Sequence, residues 1–187
     1  MTSNQLWHWH ITVADSEPPI WRRFQVSSSV TLAQFHGVIQ AVMGWQDCHA
    51  YRFQYRRQTY ALPGVAPARA TAATPQDVTQ VTLADLGLAP PDDLTYTYDF
   101  QSGWLHVLRL EAVTEGRDQP IVAHCLEGEM ACPPEGSGGV WGYGELLERL
   151  ADPEDPEYEM LLNWIGLDFD PDKFDRSGAN QRLGAVG

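Results

Sequence analysis

The stretch ACPPEGSGGVWGYGELLERL, from Ala131 to Leu150, constrains this chain more than any other part of its 187 residues. Pro133 and Pro134 cannot donate backbone hydrogen bonds, and Gly136, Gly138, Gly139 and Gly142 can adopt positive φ. Together they specify an irregular, tightly turned loop. It runs into an amphipathic helix from Gly144, with Leu146, Leu147 and Leu150 as its apolar positions. Backbone specification this dense marks either a functional loop or a plug that seals a neighbouring surface. As a plug, the loop would use Gly138 and Gly139 for close approach and Trp141 and Tyr143 as anchors. Its expected seat is the sheet of the two early strands and the Tyr98 hairpin, with Glu135 turned toward Arg22 or His106.

The preceding chain supplies that sheet. Leu6 to Val13 alternates, with Trp7, Trp9, Ile11 and Val13 on one face and His8 and His10 on the other. A second strand, Ile20 to Val26, places Arg22 on the same face as Ile20, Phe24 and Val26. Arg22 then either goes inward, onto a carboxylate or several carbonyls, or lies at the strand's end and reaches water. Thr31 and Gln34 form a capping box, Leu32, Phe35, Ile39 and Val42 form a buried stripe, and Gly44 terminates the helix. His36 flanks that stripe, with a backbone carbonyl as its expected partner. His49 to Arg56 reads as a third strand, with Tyr51, Phe53 and Tyr55 on one face and Arg52 on the other.

Residues 61–80 are rich in Ala, Pro and Thr, lack periodicity and read as a surface excursion. Thr82 to Leu88 reads as a helical turn closed by Gly87, and Leu94–Phe100 with Trp104–Ala112 as a hairpin through Gln-Ser-Gly. Beyond the glycine loop, a helix capped by Asp155 carries the stripe Tyr158, Leu161, Leu162 and Ile165, closed by Gly166. Asp170-Pro171 reads as a further cap, and residues 184–187 as a fraying tail. The pattern specifies one α+β domain over 1–187: a mostly antiparallel sheet packed on the Thr31–Met43 helix, with a C-terminal helical section joined by the Gly/Pro-rich loop. The strand-strand-helix-strand opening has a β-grasp flavour.

Charge narrows the function classes. The net charge of −13 argues against nonspecific nucleic-acid binding, but residues 1–70 hold six arginines against three acids and the remainder six basic against 22 acidic side chains. No apolar run is long enough to span a membrane, and MTSNQLWHWH does not read as a signal peptide. Three cysteines without framework spacing suit a reducing cytoplasm. His8/His10, Cys125/Cys132 and the Asp168–Asp172 run each lack a complete ligand set, so no metal and no cofactor is expected. Asp99 and His106 flank the hairpin turn and, with Glu135, are the candidates for acid-base chemistry.

Several motifs recur together in one family. PPIWRRFQV, TLAQFHGVIQAVMGW followed by His49, YDF with Trp104 and His106, CPPE with GGVWGYGELLERLADPE, and WIGLDFDPDKFD with Asn180 stand here in that family's order. The chain resembles the family named after an open reading frame of plasmid pRiA4b, from about Trp7 to Leu183. The resemblance implies a cytoplasmic α+β domain, often carried by mobile elements, without an established activity. It departs from the family pattern where Gln101 and Ser102 replace Gly-Asp and where Gly136 replaces Asp, so chemistry resting on those two acids would be absent.

The leading expectation is a non-enzymatic binding module, accessory to mobile-element or nucleic-acid processes, with a protein or nucleic acid as partner. Its binding candidates are Arg22, His49, Arg52, Trp104, Trp141 and Tyr143. The alternatives are a hydrolase-like enzyme using Asp99, His106 and Glu135, and an acidic decoy of nucleic acid. Nothing in the pattern specifies an oligomeric state.

Overall fold

The computed structural model describes residues 5–65, 74–116 and 123–186. Eight strands form one sheet: β1 (Gln5–Val13), β2 (Trp21–Ser27), β3 (Tyr51–Tyr55), β4 (Gln58–Ala61), β5 (Gln76–Asp77), β6 (Asp93–Tyr98), β7 (Trp104–Glu115) and β8 (Ala123–Glu129). Their order is β5-β4-β3-β6-β7-β1-β2-β8, antiparallel except for the β4–β5 pair. Four helices are described: α1 (Leu32–Met43), α2 (Gly139–Leu150), α3 (Tyr158–Ile165) and α4 (Arg176–Leu183). The fold is α+β.

The core forms because strand parity and helix period point at each other. Trp7, Trp9, Ile11 and Val13 alternate inward on β1, as do Arg22, Phe24 and Val26 on β2. Phe35 of α1 sits at the centre, its ring 5.3 Å from Trp9, 6.0 Å from Phe24 and 5.9 Å from Phe53. The Thr31–Gln34 capping box starts α1 as the sequence specified, and Gly44, at φ 111°, ends it. Trp7, Trp9, Phe24, Phe35, Ile39, Phe53 and Tyr98 are all buried, as their parity required.

Several boundaries differ from the sequence reading. Helix α2 begins at Gly139 rather than Gly144, because Gly138 stands as its N-cap and Gly139 opens its first turn. Helix α3 begins at Tyr158; Asp155 caps a turn by accepting from the Glu157 amide and also binds Arg149. Asp175, not Asp170, caps α4, a helix without an apolar stripe to announce it, by accepting from the Gly178 amide. The excursion at 61–80 is pinned at both ends: Ala61 lies in β4, Gln76–Asp77 pairs with it, and Val78 is buried. Residues 66–73 of that excursion lie outside the described residues, as does Gly187 of the expected frayed tail. Val186 packs against the core.

The glycine loop seats as a plug would. Gly139 has φ 77°, and a Cβ there would lie 2.4 Å from the Ser102 carbonyl oxygen, in the β6–β7 turn. Cys132 lies against Gly44 at the end of α1. The Tyr98 hairpin is thus one neighbour, as expected. The end of α1 is another, and the β1–β2 connection also faces the segment: Ser16, Pro18 and Ile20 line one cavity with Val140 and Tyr143. Tyr143 anchors the segment from a buried position, but Trp141 is 89% exposed and anchors nothing within the chain.

Candidate functional site

The α1–β3 loop, the β6–β7 turn and the glycine loop meet at one end of the sheet. Asp47, at φ 52°, bends the chain after Trp45 so that Cys48 and His49 reach the rim. Asp99, also at φ 52°, opens the β6–β7 turn, which the Gly103 amide closes onto the Asp99 carbonyl. Glu135 arrives from the glycine loop.

Tyr98 is the hub of this junction. Its hydroxyl donates to Glu135 Oε1 at 2.9 Å and accepts from the Cys48 amide at 3.0 Å. Burial, with the Cys48 thiol and the Glu135 carboxylate beside it, pushes its phenol well above the ordinary value against the lowering effect of the Cys48 amide. Glu135 Oε1 also accepts from the Gln46 amide at 2.9 Å, so one carboxylate oxygen is fixed twice. The other, Oε2, is buried without a hydrogen-bond partner and lies 3.6 Å from His49 Nε2. On the far side of the imidazole, Asp99 Oδ1 lies 3.8 Å from Nδ1. Burial raises the Asp99 carboxyl, but bonds from Ser102 and the Gln101 amide outweigh it and hold the group below the usual carboxylate range. His49 therefore sits between two carboxylates, with Cys48 beside it at the solvent edge.

Asp99 and Glu135 come to this junction as the sequence candidates required, but His106 does not. It faces the core from β7, wholly buried, accepting from Trp45 Nε1 at 3.2 Å and facing the Trp104 carbonyl at 3.1 Å. Burial lowers its pKa to about 4, against smaller backbone effects from Tyr96 and Trp104. The Asp99/His106/Glu135 set of the hydrolase reading is thereby corrected: parity on β7 sends position 106 inward, and His49 takes the place between the carboxylates. The motif residues divide into two layers. Trp45, Tyr98, Trp104 and His106 form a dry aromatic floor, and Cys48, His49, Asp99 and Glu135 form its rim.

The other binding candidates scatter. Arg22 is 1% exposed and makes no ligand-facing surface. Its guanidinium donates to the carbonyls of Val42 (3.0 Å), Trp21 and Glu129 (2.7 Å each), and stacks 3.9 Å over Phe174. The carbonyls, and not Glu135, are the partners that burial demands. Trp104 and Tyr143 are buried, so neither is offered to a partner. Arg52 is half-buried, 5.2 Å over the Phe100 ring. His36 binds the Tyr96 hydroxyl and Asp47, both at 2.7 Å, rather than a backbone carbonyl. Cys48 and Tyr98 are the participants that sequence reading missed as site residues. The available signal was the Cys48-His49 doublet in the loop after Trp45.

A second feature lies on the C-terminal section. No residue of α3 is buried, although its sequence, YEMLLNWI, is mostly apolar. Tyr158, Leu161, Leu162 and Ile165 are half-buried, so the stripe faces inward as expected but is only partly covered. Met160 and Trp164 line a groove of about 480 Å³ with Leu146, Leu161, Glu145 and Arg149.

Comparison with known proteins gives the family. The model of the plasmid pRiA4b ORF-3-like proteins matches residues 5–178. An uncharacterized protein, y4hQ, of Sinorhizobium fredii (strain NBRC 101917 / NGR234) is 35% identical over 162 residues, which cover 83% of this chain and 78% of that one. The crystal structure of a protein of unknown function, MM3350, from Methanosarcina mazei Go1 is similar at a TM-score of 0.83 and 34% identity, covering 94% of this chain and 98% of that one. The motif order, the fold and these relatives agree, and the chain belongs to the plasmid pRiA4b ORF-3-like family.

Proposed function

We propose that this protein is a protein-binding module that docks its partner on the apolar, acid-rimmed surface of α2 and α3. The observation that carries the reading is α3, an apolar helix that its own chain covers only in part. Trp141 (89% exposed), Leu167 (80%), Met160 (57%) and Trp164 (50%) all belong to this one section. Large apolar side chains gathered in one region mark an interaction surface, whereas scattered ones do not. Residues 139–175 carry eleven acids against two basic side chains, which suits a partner with apolar anchors flanked by lysine or arginine. The same charge opposes pairing with a second copy.

Nucleic acid fits the arginines less well. Arg22 is buried, and Arg23 is bound by Glu111 and Glu127. The decoy reading is weakened because Asp152, Asp155, Asp170 and Asp175 accept from backbone amides in separate turns, without a regular phosphate-like spacing. The family's plasmid origin makes a plasmid-borne or mobile-element assembly, including its nucleic-acid-handling proteins, the system in which the partner is sought.

A photo-crosslinking residue placed at Trp141, Trp164 or Arg56 in cells carrying the gene tests this reading. Protease-sensitive adducts from positions 141 and 164, lost when Met160→Glu is added, are expected. Absence of adducts from both positions, or nuclease-sensitive adducts from position 56, would overturn it.

A further inference from the structure

We infer that Cys48, His49 and Glu135 form a binding site for a single thiophilic divalent ion of the Zn²⁺ class, with Asp99 orienting the histidine. The ligand atoms of these three side chains lie within 4.8 Å of one another, so a contraction of about 1 Å brings them to the spacing that one ion imposes. Glu135 is prepared for the role. Its Oε1 is fixed by Tyr98 and Gln46, while its Oε2 is buried, unpartnered and directed at His49. A buried carboxylate oxygen left without a donor costs stability, and a cation at this point removes the cost.

The donor set selects the metal. One thiolate, one imidazole and one carboxylate suit Zn²⁺ or Co²⁺, whereas Mg²⁺ and Ca²⁺ prefer oxygen alone. Three protein ligands leave a fourth position open, as in zinc sites that bind water or a substrate atom. Asp99 stands 3.8 Å from His49 Nδ1, the outer position from which a carboxylate fixes the orientation and tautomer of a ligating imidazole. Cys48 and His49 are exposed, so an ion can enter without rearrangement of the core. Binding converts the Cys48 thiol to thiolate and releases its proton to solvent.

Linear spacing hides this set, because two ligands are adjacent and the third lies in the glycine loop. The sequence expectation of no metal rested on the His8/His10, Cys125/Cys132 and Asp168–Asp172 spacings. The first pair lies on the opposite face of the sheet from the core, where His8 meets Thr114 and His10 stacks on Trp21. The inference does not rest on the docking surface of α2 and α3.

Titration of chelator-treated protein with Co²⁺ tests it. One ion per chain is expected, with a sulfur-to-cobalt charge-transfer band and the visible bands of a tetrahedral ion, both displaced by Zn²⁺. Cys48→Ser should abolish the charge-transfer band. Asp99→Asn should weaken binding roughly tenfold or more while leaving the band in place at saturation. His8→Ala/His10→Ala should change nothing. Cys48→Ser and His49→Ala alter exposed side chains, so a lost fold does not confuse the result, and circular dichroism checks this. Failure to take up a stoichiometric ion, or an unchanged cobalt spectrum in Cys48→Ser, would overturn the site.

Discussion

Single residues carry much of the fold's specificity, and two of them give sharp expectations. At Gly139 an added Cβ meets the Ser102 carbonyl oxygen on a backbone already at positive φ. Gly139→Ala should cost about 3 kcal/mol, lowering the melting temperature by roughly 6–12 °C. Gly144 lies in the same helix with nothing within 4 Å of a would-be Cβ. Gly144→Ala should therefore be neutral or stabilising by up to about 1 kcal/mol, and thermal unfolding of the pair separates close approach from helix propensity. His106 supplies a pH expectation. Its folded pKa of about 4 lies below the ordinary 6.5, so the buried neutral ring contributes its full stability above pH 6.5. As pH falls the unfolded chain takes up the proton first, and up to about 3 kcal/mol is lost by pH 4. Urea unfolding at pH 7 and pH 4.5 should show this loss, reduced in His106→Gln. Equal pH dependence in both proteins would show that other groups set acid stability. Position 106 also shows what sequence conceals. The alternation of β7 is readable, but the aromatic neighbours that bury His106 come from other parts of the chain.

Elements were legible where local chemistry decides them and illegible where a distant partner does. Helix α1 was readable end to end because the capping box and Gly44 are local signals. Strand β8 was hidden because its pairing with β2 is nonlocal, and α4 because its polar sequence gives no stripe. Glu135 meets Tyr98, Gln46 and His49 rather than Arg22 or His106, since no local rule says which buried groups a loop will meet. The end of α1 shows the same dependence on distance. It has no basic residue in its last turn, yet Arg22 donates to the Val42 carbonyl and Arg182 to that of Ala41 at 2.9 Å. Two arginines from other elements thus satisfy carbonyls that the helix cannot satisfy itself, where its dipole favours positive charge. Arg22→Met should leave the carbonyls of Val42, Trp21 and Glu129 without their Arg22 donor and cost about 3 kcal/mol. Arg22→Lys should recover only part, because an ammonium cannot reproduce the planar fork. Denaturant unfolding of the two variants measures both, and full recovery by lysine would show that charge alone matters.

At the scale of the whole molecule the two ends of the sheet order have different fates. The β5 edge is only two residues long, which limits pairing with another chain. The β8 edge is longer, and α4 guards it: Asn180 Oδ1 accepts from the Cys125 amide at 2.9 Å and its Nδ2 donates to the Cys125 carbonyl at 3.0 Å. One side-chain amide thus occupies the place where a foreign strand would begin to pair. No helix among the described residues is long and apolar enough to cross a membrane. The guard comes from the last helix of the described chain. During synthesis β8 therefore leaves the ribosome before the helix that shields it, and the edge stays open until Asn180 has emerged. A nascent chain that stalls before this point presents a bare strand to its neighbours on the same message. How far synthesis has run past Asn180, more than any residue in the core, then decides whether the newly made sheet remains single or recruits others.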